Sequence, residues 1–386
     1  MAPSAIPSLM LLLAATIGLA SPGAAGPIDP ETWRVKHPGI VLVDPAVRAV
    51  ELQRIDATER RRLCPPPAAE ADPAPVISLV GPATASGSDP AAQPFTLAVM
   101  AGAAAGLAGD HAAADGAIAL LARWARADAL SDLVEAGPER TNANTLYSLK
   151  RALLGVLPAW ALLADRATPA QRLDVLDWLS RRVADADAPT GPAATRATES
   201  SPTNRNNQRL MREAMVMALG ALTGDATKLR RGVKVYLQTL REMRPDGSLP
   251  LETARGARAL WYQRHAIASL VYIAELARAQ GYDLYAAAVE GRKLARAVDF
   301  LLGEIAEPRR LAAYAGERQD LGFLETRPSG RNIMAWLEPW HRRLTTNLSV
   351  SGALATGDLV TTTLAQRPLI DDLSGGNLTC LFAKVG

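Results

Sequence analysis

Two segments of this 386-residue chain concentrate side chains able to do chemistry. The first is Asn204-Arg205-Asn206-Asn207-Gln208, which opens an apolar rhythm; its amides can either cap a helix or bind a polar ligand. The second runs from Leu249-Pro250-Leu251-Glu252 through Arg255, Arg258, Trp261 and Tyr262 to His265. At helical spacing Glu252, Arg255, Arg258, Tyr262 and His265 fall along one side. That side is either a solvated charged face or a site where a carboxyl, two guanidinium groups, a phenol and an imidazole meet.

The elements that must hold these residues are helices. Apolar residues recur three and four apart through Phe95 to Ala108, Ala113 to Ala125, Leu146 to Leu163 and Ala170 to Val183. Pro158 should kink or split the third of these. The rhythm resumes through Gln208 to Leu222, Leu229 to Met243, Arg255 to Ala279 and Ala286 to Ile305. Short turns at Gly224-Asp225 and Pro245-Asp246-Gly247 predict antiparallel hairpins. Periodicity alone leaves a bundle, a solenoid and a closed α/α toroid equally open.

Composition excludes several classes. With 48% hydrophobic residues and a formal net charge of +3, the chain is not globally disordered. The excess of 42 Lys and Arg over 39 Asp and Glu is too slight to argue for nucleic acid, although a local Arg cluster can meet an acidic glycan. The four histidines, His37, His111, His265 and His341, are scattered and no CxxC is present, so a zinc site has little support.

The chain divides into three parts. Residues 1–25 read as an export signal, with an apolar run from Leu9 to Leu19 and small residues after it, which predicts a periplasmic or secreted protein. No Lys or Arg precedes that run, which leaves an uncleaved anchor as the alternative. Residues 26–94 form a loop-rich arm in which the stretch Ser86-Gly87-Ser88-Asp89 is either a lid or a plain linker. Residues 95–386 are the helical body. The apolar run from Phe95 to Gly109 is too short to span a bilayer, so no integral membrane segment is expected once the signal is removed. Cys64 and Cys380 either close a large loop between arm and tail or remain two unpaired thiols.

Several segments resemble the alginate lyase family of polysaccharide lyases, and they do so in the same order. They are Asn206-Asn207, Asp246-Gly247-Ser248-Leu249-Pro250 with Glu252, Arg255 and Tyr262, and Trp336-Leu337-Glu338-Pro339-Trp340. The Cys64-Pro65-Pro66 turn and the surroundings of Lys150 are also similar. The resemblance implies an all-α, incomplete α/α toroid with a groove for an anionic polysaccharide, and a β-elimination that needs neither metal nor cofactor.

It further implies that Asn207 and Arg255 stabilise charge at a uronate, and that Tyr262 takes the C5 proton or protonates the departing O4. An unperturbed tyrosine, with a pKa of about 10, holds little phenolate at neutral pH, and a guanidinium nearby favours the anion. On a continuous helix Arg255 lies about 10 Å from Tyr262 along the axis, so Arg258 is the expected neighbour.

The chain also departs from the family. The two Asn residues are followed there by a catalytic His and here by Gln208, which donates a hydrogen bond but takes no proton at neutral pH. Gln208 is then expected to help hold the uronate carboxylate, while one tyrosine serves as both base and acid. His265 either compensates or is structural. The family's basic and aromatic lid loop is not recognisable around Leu79-Val80-Gly81-Pro82-Ala83.

Asn206, Arg258, His265, Tyr147 and Lys150 are candidate groove residues, and Trp261, Trp336 and Trp340 either stack on sugar rings or fill the core. Two readings compete with the lyase. One is a non-catalytic glycan-binding or exopolysaccharide assembly protein. The other is an inverting hydrolase that would use carboxyls such as Glu252 and Glu338.

Overall fold

The structure is a computed structural model that describes residues 28–68, 72–81, 90–134, 143–188, 205–344 and 357–385. The signal segment, Asn204 and the Ser86-Gly87-Ser88-Asp89 stretch lie outside the described residues. Within the arm, Asp44 and Asp56 accept backbone N–H groups and start two short helices, α1 (Pro45–Gln53) and α2 (Ala57–Leu63). A three-residue strand, β1 (Ser78–Val80), pairs in parallel with β2 (Asp132–Val134).

The body is built from helical hairpins. They are α3 (Ala92–Leu107) with α4 (His111–Arg126), α5 (Ala143–Leu163) with α6 (Pro169–Asp187), and α7 (Asn207–Thr223) with α8 (Ala226–Glu242). After the four-residue helix α9 (Pro250–Thr253), α10 (Ala259–Ala279) pairs with α11 (Leu294–Ala306). The first members, α3, α5, α7 and α10, pack side by side in succession, and each carries its hairpin partner against it. This gives two concentric layers, so the inner helices are buried on nearly every side. On α10 the run from Gln263 to Ala277 is buried without a break.

The turns follow local rules. Gly224 ends α7 with a left-handed backbone, and Asp225 then caps α8 through the N–H groups of Thr227 and Lys228. Helix α11 begins at Leu294 rather than Ala286, because Val289 and Arg292 bridge in a tight turn ahead of it.

Pro158 does not split α5. A proline cannot donate to the carbonyl four residues back, and here the Tyr272 hydroxyl donates to that carbonyl, on Leu154, at 3.2 Å. The same helix is long and apolar enough to cross a membrane, yet it is mostly buried against its neighbours.

The carboxy-terminal segment carries α12 (Leu337–Leu344), α13 (Gly357–Leu364), a hairpin of β3 (Ile370–Asp371) and β4 (Gly376–Asn377), and α14 (Leu378–Phe382). Strand β4 packs on α3 and α5, and α12 packs on α10, so this segment fills the space between the first and last inner helices. Cys380 is bonded to Cys64 with an S–S distance of 2.09 Å, which settles the question the two cysteines left open.

The turn ahead of α9 depends on one glycine. Gly247 has φ +97°, and a Cβ there would overlap the carbonyl oxygen of Arg296 on α11. Gly247→Ala is therefore expected to destabilise the fold by about 3 kcal/mol, from backbone strain plus displacement of α11. Urea denaturation measures this directly, and an unchanged midpoint would refute it.

Candidate functional site

The two segments singled out by residue type meet at the amino-terminal ends of α7 and α10. Asn206 is the N-cap of α7, and its side chain accepts the Gln208 N–H at 3.0 Å. Capping places Asn207 at the first helical position, only 1% exposed, where it faces α9. Its backbone N–H donates to Glu252 Oε1 at 2.7 Å and its Nδ2 donates to Glu252 Oε2 at 2.8 Å. One carboxyl group thus fixes both the chain path and the amide of Asn207. Burial raises the Glu252 carboxyl to about 7, against the two hydrogen bonds from Asn207 and the charge of Arg255.

The continuous helix expected from Arg255 to Ala279 does not form. The chain leaves α9 at Ala254, takes a positive φ of 56° at Gly256 and makes one 3-10 turn over Gly256–Arg258 before α10 begins. This break overturns the separation expected from helical rise. The Arg255 guanidinium carbon lies 4.1 Å from the centre of the Tyr262 ring, in cation–π range. Arg258, the expected neighbour, instead approaches Asp320 at 3.8 Å and the Trp261 ring at 5.8 Å.

Arg255 is exposed and forms no ion pair among the described residues, while Tyr262 is half-buried. Asn207, Glu252, Arg255 and Tyr262 therefore form one contiguous set, in which an amide, a guanidinium and a phenol can act on one anionic group.

The remaining candidates are placed as follows. Gln208 is half-buried, and its Oε1 has no hydrogen-bond partner among the described residues. Tyr147, on the first turn of α5, is half-buried; it meets the His265 ring edge-on at 5.7 Å and the Arg151 guanidinium at 5.7 Å. His265 is itself only 2% exposed. Burial, together with the charges of Arg264, Arg331 and Arg151, holds its imidazole neutral, well below the usual range, and its Nε2 has no hydrogen-bond partner among the described residues.

Lys150 is 3% exposed, and burial aided by the charge of Arg212 lowers it to about 8. Trp261 is half-buried, edge-on to Phe323 at 5.8 Å, with Arg327 at 5.2 Å over its ring. Trp336 and Trp340 lie in the core, at 0% and 4% exposure, and present no open face for a sugar. Their apolar bodies fill the space where α12 meets α10.

Sequence reasoning assigned no role to a buried charge cluster beside Tyr147. Arg151 pairs with Asp372 at 2.7 Å, and Arg331 pairs with Asp371 at 2.5 Å and Asp372 at 2.7 Å. Next to it Arg264, 2% exposed, has no carboxylate within ion-pair distance among the described residues, and burial lowers it to about 10. These residues come from four distant parts of the chain, so no local spacing marked them. Glu252 was visible in its motif, but its bond to Asn207 spans 45 positions and has no sequence signal. Among the described residues no group of three or more His, Cys, Asp or Glu side chains could hold a metal ion.

A model of the alginate lyase family matches residues 88–311, more than half of the chain and including both segments of the site. The chain belongs to the alginate lyase family.

It is 30% identical over 237 residues to a polysaccharide lyase of Stenotrophomonas maltophilia, covering 61% of this chain and 64% of that one. It is 28% identical over 235 residues to an alginate lyase of Pseudomonas syringae pv. tomato, covering 58% and 56%. The matched stretches thus span less than two thirds of these family members. The fold is that of alginate lyase A1-III from Sphingomonas species A1, with a TM-score of 0.71 at 23% identity over 92% of this chain and 98% of that one. A tetrasaccharide complex of A1-III superposes with a TM-score of 0.73 at 24% identity. The α/α toroid of this family is therefore the architecture of the two helical layers described above.

Proposed function

We propose that this protein is an exported polysaccharide lyase that cleaves an alginate-like, uronate-containing polysaccharide by β-elimination, without a metal. The observation that carries the reading is an exposed guanidinium with no ion pair among the described residues, resting on a half-buried tyrosine and one short turn from an amide clamp. Membership of the alginate lyase family supports it, as does the tetrasaccharide bound by the structurally similar A1-III. A disulfide joining the arm to the tail supports export to an oxidising compartment.

The chemistry follows from charge. Breaking the C5–H bond of a uronate puts electron density on a carboxylate that is already negative, and Arg255 with the Asn207 and Gln208 amides stabilises it there. The electron pair then forms the C4–C5 double bond as the C4–O4 bond breaks, and O4 leaves with a proton.

Gln208 cannot carry a proton and His265 is sealed beneath Tyr147, so Tyr262 takes the C5 proton and returns one to O4. One hydroxyl reaches both atoms only when they lie on the same face of the ring, as in D-mannuronate and D-glucuronate.

A panel of poly-mannuronate, poly-glucuronate, poly-guluronate and poly-galacturonate tests this, read by the ultraviolet absorbance of unsaturated uronate ends. Absorbance is expected to rise with one or both of the first two polymers. Binding without absorbance on all four is the result a glycan-binding or assembly protein would give, and it would overturn the lyase reading.

A further inference from the structure

Glu252 is a carboxyl group that the elimination does not use. It is 3% exposed, both of its oxygens are occupied by Asn207, and among the described residues no cation lies within ion-pair distance. Arg255 exerts its charge on it from the next turn, but that guanidinium lies over Tyr262. Arg244, on the same short segment, is engaged by Ser248, Thr253 and the Tyr314 ring. From α10, Gln263 turns instead to Leu249 and Gly247.

We propose that Glu252 is a positioning residue that takes up a proton when a ligand carboxylate binds against Asn207. The inference rests on the uronate reading above. While Glu252 is ionised, it holds Nδ2 of Asn207 inward and leaves the groove one N–H and the Oδ1 acceptor. A ligand carboxylate on the other side of the same amide sets two like charges across one small neutral group in a water-poor place, which favours neutralising one of them. Once protonated, Glu252 can donate its O–H to Oδ1, and the amide can turn both N–H groups to the ligand. Burial has already brought Glu252 to about 7 in the free protein, so the added charge has only to carry it upward through neutral pH.

Calorimetric titration of the Tyr262→Phe variant with tetrasaccharides of D-mannuronate and D-glucuronate, in buffers of different ionisation enthalpy, reads this proton. Uptake of about half a proton or more per ligand is expected near pH 8, and almost none near pH 5, where Glu252 is already protonated. Adding Glu252→Gln should abolish the uptake, whereas Glu252→Asp should keep it with weaker binding. Binding with no buffer dependence at pH 8, or uptake that persists with Gln at 252, overturns the inference and leaves the lyase reading standing. Failure of both tetrasaccharides to bind overturns the uronate reading itself, and this inference with it.

Discussion

Tyr262→Phe is expected to lower kcat by about 10³-fold while KM stays within a few-fold of its starting value. The substitution removes one oxygen and keeps the ring on which the Arg255 guanidinium rests at 4.1 Å, so the proposed clamp for a ligand carboxylate survives. In the proposed mechanism, what is lost is the one group among the described residues of the site that both accepts the C5 proton and delivers one to O4. Because Gln208 offers no second route, the loss should be as large at pH 9 as at pH 7. A variant that kept more than about a tenth of the activity would remove Tyr262 from the reaction, since general acid–base catalysis of this kind contributes at least 10²-fold.

The second large effect concerns stability. Cys64→Ala with Cys380→Ala is expected to cost about 4 kcal/mol in urea denaturation, because the bond joins positions 316 residues apart and greatly restricts the unfolded chain. Native hydrogen bonds already hold the two ends together. Arg48 donates to the carbonyls of Cys380 at 2.8 Å and Ala383 at 2.9 Å, and Asn377 donates to the carbonyl of Leu63 at 2.9 Å. The variant should therefore fold to the same structure with a lower midpoint. A cost below about 1 kcal/mol would show that these bonds, rather than the covalent link, fix the arm to the tail.

Much of this protein is written locally. Apolar spacing marked the hairpin helices, because a helix that buries one side must repeat at its own period. Asp44, Asp56 and Asp225 cap helices by rules that reach only three residues. The amides of Asn206, Asn207 and Gln208 were also legible as a helix start, and the order of motifs pointed to the family.

Local rules failed where the chain stopped being periodic. A helical ruler set Arg255 too far from Tyr262 and chose Arg258; the positive φ at Gly256 reversed that choice. Pro158 was expected to interrupt α5, and a hydroxyl from α10 satisfied the carbonyl that it left without a donor.

By itself, the sequence determined which hairpin helices form, where most of those start and which residue types the site contains, since capping and amphipathic burial act over a few residues. The short helices of the arm and of the carboxy-terminal segment were not marked by it. Only the tertiary structure decided that Glu252 holds Asn207, that Arg255 covers Tyr262, that His265 is buried beneath Tyr147 and that Cys64 meets Cys380. Those contacts join segments set by packing and turn geometry, and neither follows from the spacing of residues along the chain.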